Sequence, residues 1–102
     1  MIQHVVLWKL IDDADGKSKD EIIMQIREKL SLLPALIPQI RSLSVVKNEN
    51  PTDKNMDVAL ITSFDSLEDL NIYATHPDHV KVGGFIASVV SARSAIDYLV
   101  HT

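Results

Sequence analysis

The sequence has no cysteine. That removes disulfides, iron–sulfur clusters and thiolate zinc sites together, and it fits a reducing, cytoplasmic setting. Aromatic residues make up only 5% of the chain, too few for the stacking platform on which a sheet reads RNA. Positive charge is also scarce. The formal net charge is −4, and no basic cluster exceeds two neighbours, so neither nucleic acid nor an anionic membrane is attracted. No apolar run approaches the length of a membrane span. The opening MIQHVVLWKL is apolar but short, carries Lys9, and lacks a basic leader and a small-residue cleavage site. It reads as a strand and not as a signal peptide. Glycine is almost confined to one place, because two of the three glycines are the pair Gly83-Gly84.

What is present is the composition of one globular domain spanning residues 1–102. Such a short chain buries a modest fraction of its surface, so a partner subunit would help it. Ile2 to Leu10 reads as the first strand, with Val5, Val6, Leu7 and Trp8 apolar on both faces. His4 shares a face with Ile2, Val6 and Trp8, because strand side chains alternate. After the polar loop Asp12 to Lys17, Ser18 and Glu21 form a capping box. Ile22, Ile26, Leu30 and Leu33 then make one helical stripe, which Pro34 stops. Ile40 to Val46 reads as the second strand and Met56 to Phe64 as the third.

Ser66 caps the next helix, whose first turn carries Glu68 and Asp69 where the helix dipole favours negative charge. Leu67, Leu70 and either Tyr73 or Ala74 form its inner stripe. The helix ends near His76, and Pro77 suits the first position of another. That third helix carries Val82, Phe85 or Ile86, and Val89 inward. Ser91 to Val100 reads as the last strand, with Ala92, Ser94, Ile96, Tyr98 and Val100 on one face. Strand, helix, strand, strand, helix pair, strand is the α+β, ferredoxin-like β-α-β-β-α-β order, a four-stranded antiparallel sheet with helices on one face. The other face is bare yet apolar, so a second copy of the chain is expected to cover it in a homodimer.

Chemistry concentrates in Tyr73 to Phe85, YATHPDHVKVGGF. His79 falls on the inward stripe of its helix. Tyr73 occupies a comparable inner position on the preceding one. If His4 points to the helical side, three proton-carrying groups converge on one apolar cavity. A histidine there can take a proton at neutral pH, and a tyrosine hydroxyl can donate to a developing enolate. Proton abstraction beside a carbonyl needs neither metal nor cofactor. The structural alternative is that His79 bonds a backbone carbonyl and Tyr73 is a core aromatic. His76 and His79 also resemble a metal pair, but zinc takes three or four protein ligands and no third is fixed. No metal site is assigned.

HVVLWKL, FDSLEDL, HPDHVKVGGF and AIDYLV, in this order, resemble the stress-responsive A/B barrel (Dabb) domain family over nearly the full length. HPxHV followed by glycine and Phe85 is the most specific piece. The resemblance implies a dimeric α/β barrel. It also implies a small stress-associated or ligand-binding protein with no fixed reaction. One plant branch holds cofactor-free polyketide cyclases of the olivetolic acid type. By that likeness Tyr73, His79 and His4 would be the catalytic residues of an aldol cyclisation or isomerisation of a small carbonyl compound. Gly84, Ile86 and Ala87 replace bulkier choices in that branch, and Lys81 stands where it has a small residue, so its substrate does not carry over. The wider superfamily adds cofactor-free monooxygenases, for which Trp8 and His79 would serve.

Overall fold

The computed structural model describes residues 1–100. Strand β1 (Ile2–Leu10) is followed by helix α1 (Lys19–Ser31), a single turn α2 (Leu33–Leu36), strands β2 (Ser42–Lys47) and β3 (Val58–Phe64), helices α3 (Leu67–Thr75) and α4 (Pro77–Val89), and strand β4 (Val90–Leu99). The sheet runs β2-β3-β1-β4, and each neighbouring pair is antiparallel. This is the ferredoxin-like arrangement. The two most apolar strands, β1 and β3, occupy its centre, where both flanks are hydrogen-bonded.

One face of the sheet builds the core. Ile2, Val6 and Trp8 of β1 stand opposite Phe64, Leu60 and Val58 of β3, and all six are buried. Against them α1 lays Ile22, Ile26 and Leu30, and α3 and α4 add Leu70, Tyr73, Ile86 and Val89. A side chain buried like Ile26 or Leu30 contributes about 1.5–3 kcal/mol from apolar transfer. The caps follow the sequence. The Ser18 hydroxyl accepts the Glu21 N–H at 3.2 Å, and the Ser66 hydroxyl accepts that of Asp69 at 3.1 Å.

The opposite face carries no helix. Leu7, Val46, Ile96 and Tyr98 are all exposed there, and nearly every residue of β4 is open to solvent. Register explains the division. Val5 pairs with Ile61 and Ile96, and Leu7 with Ala59 and Ser94, all of them directed away from the helices.

Four details differ from the expectations. Pro34 does not simply stop a helix. α1 ends one turn earlier, and Pro34 opens α2, where its missing N–H costs nothing. β2 begins at Ser42, because the Ile40 N–H turns back to the Ile37 carbonyl. β3 begins at Val58 and not at Met56. Leu67 is 62% exposed. Leu67 is the first residue of α3, and at the helix start nothing covers it.

Candidate active site

α3 and α4 meet at His76, which ends one helix and starts the other. Its Nδ1 accepts the Asp78 N–H at 3.1 Å. The cap uses the ring nitrogen nearest its own backbone, so His76 is aimed at the helix start. With Pro77 at the first position, the chain turns sharply and lays α4 beside α3. That turn brings His79 onto Tyr73. Their ring centroids are 4.2 Å apart, and Tyr73 also packs against Phe64 at 5.1 Å and edge-on to His4 at 6.3 Å.

Tyr73, His79 and His4 line one cavity of about 310 Å³. Trp8, Leu60, Leu70 and Ile86 form its apolar walls, and Gly83 and Ala87 on α4 leave it roomy. The volume is at the small end for ligand pockets.

The polar groups have defined protonation. His79 Nδ1 lies 3.1 Å from the Ala74 carbonyl. A carbonyl only accepts, so Nδ1 carries the proton and Nε2 keeps its lone pair. Burial lowers the His79 pKa below the usual histidine value. The Ala74 bond raises it in part, and the positive fields of His4, Arg93 and His76 lower it further. The ring is therefore neutral at pH 7. His4 Nδ1 donates to the Asp97 carboxylate across the β1–β4 pair.

Tyr73 is 1% exposed. Its hydroxyl is buried without a hydrogen-bond partner among the described residues. Burial pushes its pKa up to about 12, and Arg93 offsets this slightly. The hydroxyl thus stays protonated and has a bond to give. A buried unpaired hydroxyl costs about 1–3 kcal/mol.

Among the described residues no group of three or more His, Asp or Glu could hold a metal ion, and no helix is long and apolar enough to cross a membrane.

The profile described as the Stress responsive A/B Barrel Domain matches residues 2–100. The chain belongs to that family. As a stress-responsive A/B barrel domain it is 32% identical to the stress-response A/B barrel domain-containing protein DABB1 of Arabidopsis thaliana, over 97% of this chain and 47% of that protein. It is 34% identical to a second stress-response A/B barrel domain-containing protein of the same plant, over 80% of this chain and 30% of that one. The chain thus spans less than half the length of either relative. A crystal structure of a dimeric Bacteroides fragilis protein of unknown function with a ferredoxin-like fold superposes at a TM-score of 0.85, with 38% identity, covering 95% of this chain and 93% of that one.

The three residues singled out in this domain, Tyr73, His79 and His4, line one cavity. Two further polar residues line it that spacing alone did not single out, Asp97 and Arg93. The alternation of the last strand places both on the face opposite Ile96 and Tyr98. Only the β1–β4 register puts Asp97 against His4 and Arg93 against Trp8.

Proposed function

We propose that this domain is a cytoplasmic homodimer in which each cavity binds a small carbonyl compound and moves a proton beside its carbonyl without a cofactor. The observation that carries this reading is the Tyr73 hydroxyl, buried and unpaired beside a histidine whose tautomer is fixed with Nε2 free. A core tyrosine with no task would be better replaced by phenylalanine.

In this reading the substrate carbonyl accepts the Tyr73 hydrogen bond. His79 Nε2 takes a proton from the adjacent carbon, and the C–H electron pair becomes the enolate. The negative charge gathers on the oxygen that Tyr73 faces, inside an apolar site where such a bond is strong. The imidazolium then returns the proton to the same or another carbon, or the enolate attacks a second carbonyl in the same molecule and the imidazolium protonates the alkoxide that forms. His4, held by Asp97, fixes the cavity floor and supports the polarity of the site. The lowered His79 pKa keeps the base unprotonated at pH 7.

The bare sheet face supports the dimer. Leu7, Val46, Ile96 and Tyr98 form an apolar surface that a second copy would cover isologously. The structurally similar Bacteroides fragilis protein is dimeric.

The test is exchange of α-protons into D2O, followed by proton NMR, for a panel of small ketones and β-dicarbonyls. Exchange faster than buffer in the wild type, lost in His79→Gln and reduced in Tyr73→Phe, supports the reading. No acceleration for any compound sinks it.

A further inference from the structure

Among the described residues, Arg93 is the one permanent cation lining the cavity. β4 alternates, so Ala92, Ser94, Ile96 and Tyr98 face the bare side while Arg93 and Asp97 face the helices. Asp97 is committed to His4. Arg93 has neither a hydrogen bond nor an ion pair among the described residues, whereas Arg41 is paired with Asp65 through Nε and Nη2. Its register partner is Trp8, which is buried in the core. Arg93 lines the cavity from an exposed position on β4.

Arg93 and Asp97 are four residues apart on one strand, about 13 Å. The cavity between α4 and β4 spans both ends. His4, Asp97, Tyr73 and His79 gather toward one end, and Trp8, Val90 and Arg93 toward the other. The positive field of Arg93 reaches both Tyr73 and His79, whose acidities it shifts. The site thus has a proton-handling end and a cationic end with a planar fork of donors that no described residue occupies. A guanidinium fork matches a carboxylate bidentately. A single cation in a cavity of about 310 Å³ suits a monoanion better than a phosphate dianion.

We propose that the cavity takes a short keto acid, its carboxylate paired with Arg93 and its ketone between Tyr73 and His79. The proposal rests on the reading of this cavity as a carbonyl site, and it names the substrate class.

Acetoacetate and acetylacetone share one outline and differ in a carboxylate against an acetyl group. Each is titrated into the wild type, Arg93→Gln and Arg93→Lys, with the histidine ring signals followed by NMR. Arg93 is exposed, so the variants keep the fold, which the same spectra verify. The wild type is expected to bind acetoacetate at least tenfold more tightly than acetylacetone, about 1.4 kcal/mol. Arg93→Gln abolishes the preference by weakening acetoacetate far more than acetylacetone, and Arg93→Lys retains part of it. Equal affinity of the two compounds in the wild type, or a preference that survives in Arg93→Gln, overturns the role of Arg93 and leaves the carbonyl site standing. Failure of both compounds to bind overturns the carbonyl site and this proposal together.

Discussion

The Tyr73 and His79 rings lie 4.2 Å apart, yet neither offers the other a hydrogen bond. His79 Nδ1 is taken by the Ala74 carbonyl, and the Tyr73 hydroxyl is buried with no partner among the described residues. The tyrosine hydroxyl is thus left unpaired beside a histidine committed to the backbone through Nδ1. A ligand between hydroxyl and Nε2 would complete both.

Removing that hydroxyl should therefore cost no stability. Tyr73→Phe keeps the ring against Phe64 and deletes an unpaired buried polar atom, so urea unfolding should show a stability equal to the wild type or higher by up to about 1 kcal/mol. Ligand-dependent shifts at His79 should weaken in the same variant. A clear loss of stability would mean that the hydroxyl has a partner in the folded protein.

Protonation of His79 should oppose folding. Its folded pKa lies below the ordinary 6.5, so between those two values the unfolded chain binds more protons than the native one. The contribution is fully present above pH 6.5 and is lost as pH falls through the folded pKa. A plot of melting temperature against pH should fall in this window in the wild type. His79→Gln should flatten that part of the curve. The neighbouring groups His4, Arg93 and His76 stay in both proteins, so the difference between the curves isolates His79.

The glycine pair separates stability from binding. A methyl group added at Gly83 or at Gly84 meets nothing within 4 Å. Both glycines lie inside α4, so Gly83→Ala and Gly84→Ala should each stabilise the fold by up to about 1 kcal/mol. Gly83 lines the cavity and Gly84 does not. Gly83→Ala should thus weaken ligand binding while Gly84→Ala leaves it unchanged, as thermal melts and NMR titrations of both variants would show.

The bare sheet face gives its own test. Ile96 is 60% exposed at the centre of β4. Ile96→Asp places a charge where the partner sheet would pack, so sedimentation should show a wild-type dimer and a monomeric variant. Equal sedimentation of both as monomers would contradict the covered face.

Much of this was legible from the residues, because the signals were periodic or local. The alternation in β1 placed His4 with Val6 and Trp8, the capping residues Ser18 and Ser66 fixed two helix starts, and Pro77 fixed a third. The convergence of Tyr73 and His79 was expected from the inward stripes of their two helices. Other features depend on register, which no single strand encodes. The His4–Asp97 pair and the place of Arg93 beside Trp8 come from how β4 returns against β1. The exposure of Leu67 depends on where the helix begins against its neighbours, and the capping role of His76 on a ring orientation that spacing does not reveal.

The most direct test of the central claim is a titration of nitrogen-15-labelled histidine followed by NMR, with and without acetylacetone. The account predicts that His79 is neutral at pH 7 with its proton on Nδ1, that it titrates below the ordinary 6.5, and that the ligand moves its Nε2 signal while leaving His76 unmoved. A His79 that never titrates and that no small carbonyl compound perturbs would contradict the account. That residue would then be a structural cap on α3, and the cavity would have no part in proton transfer.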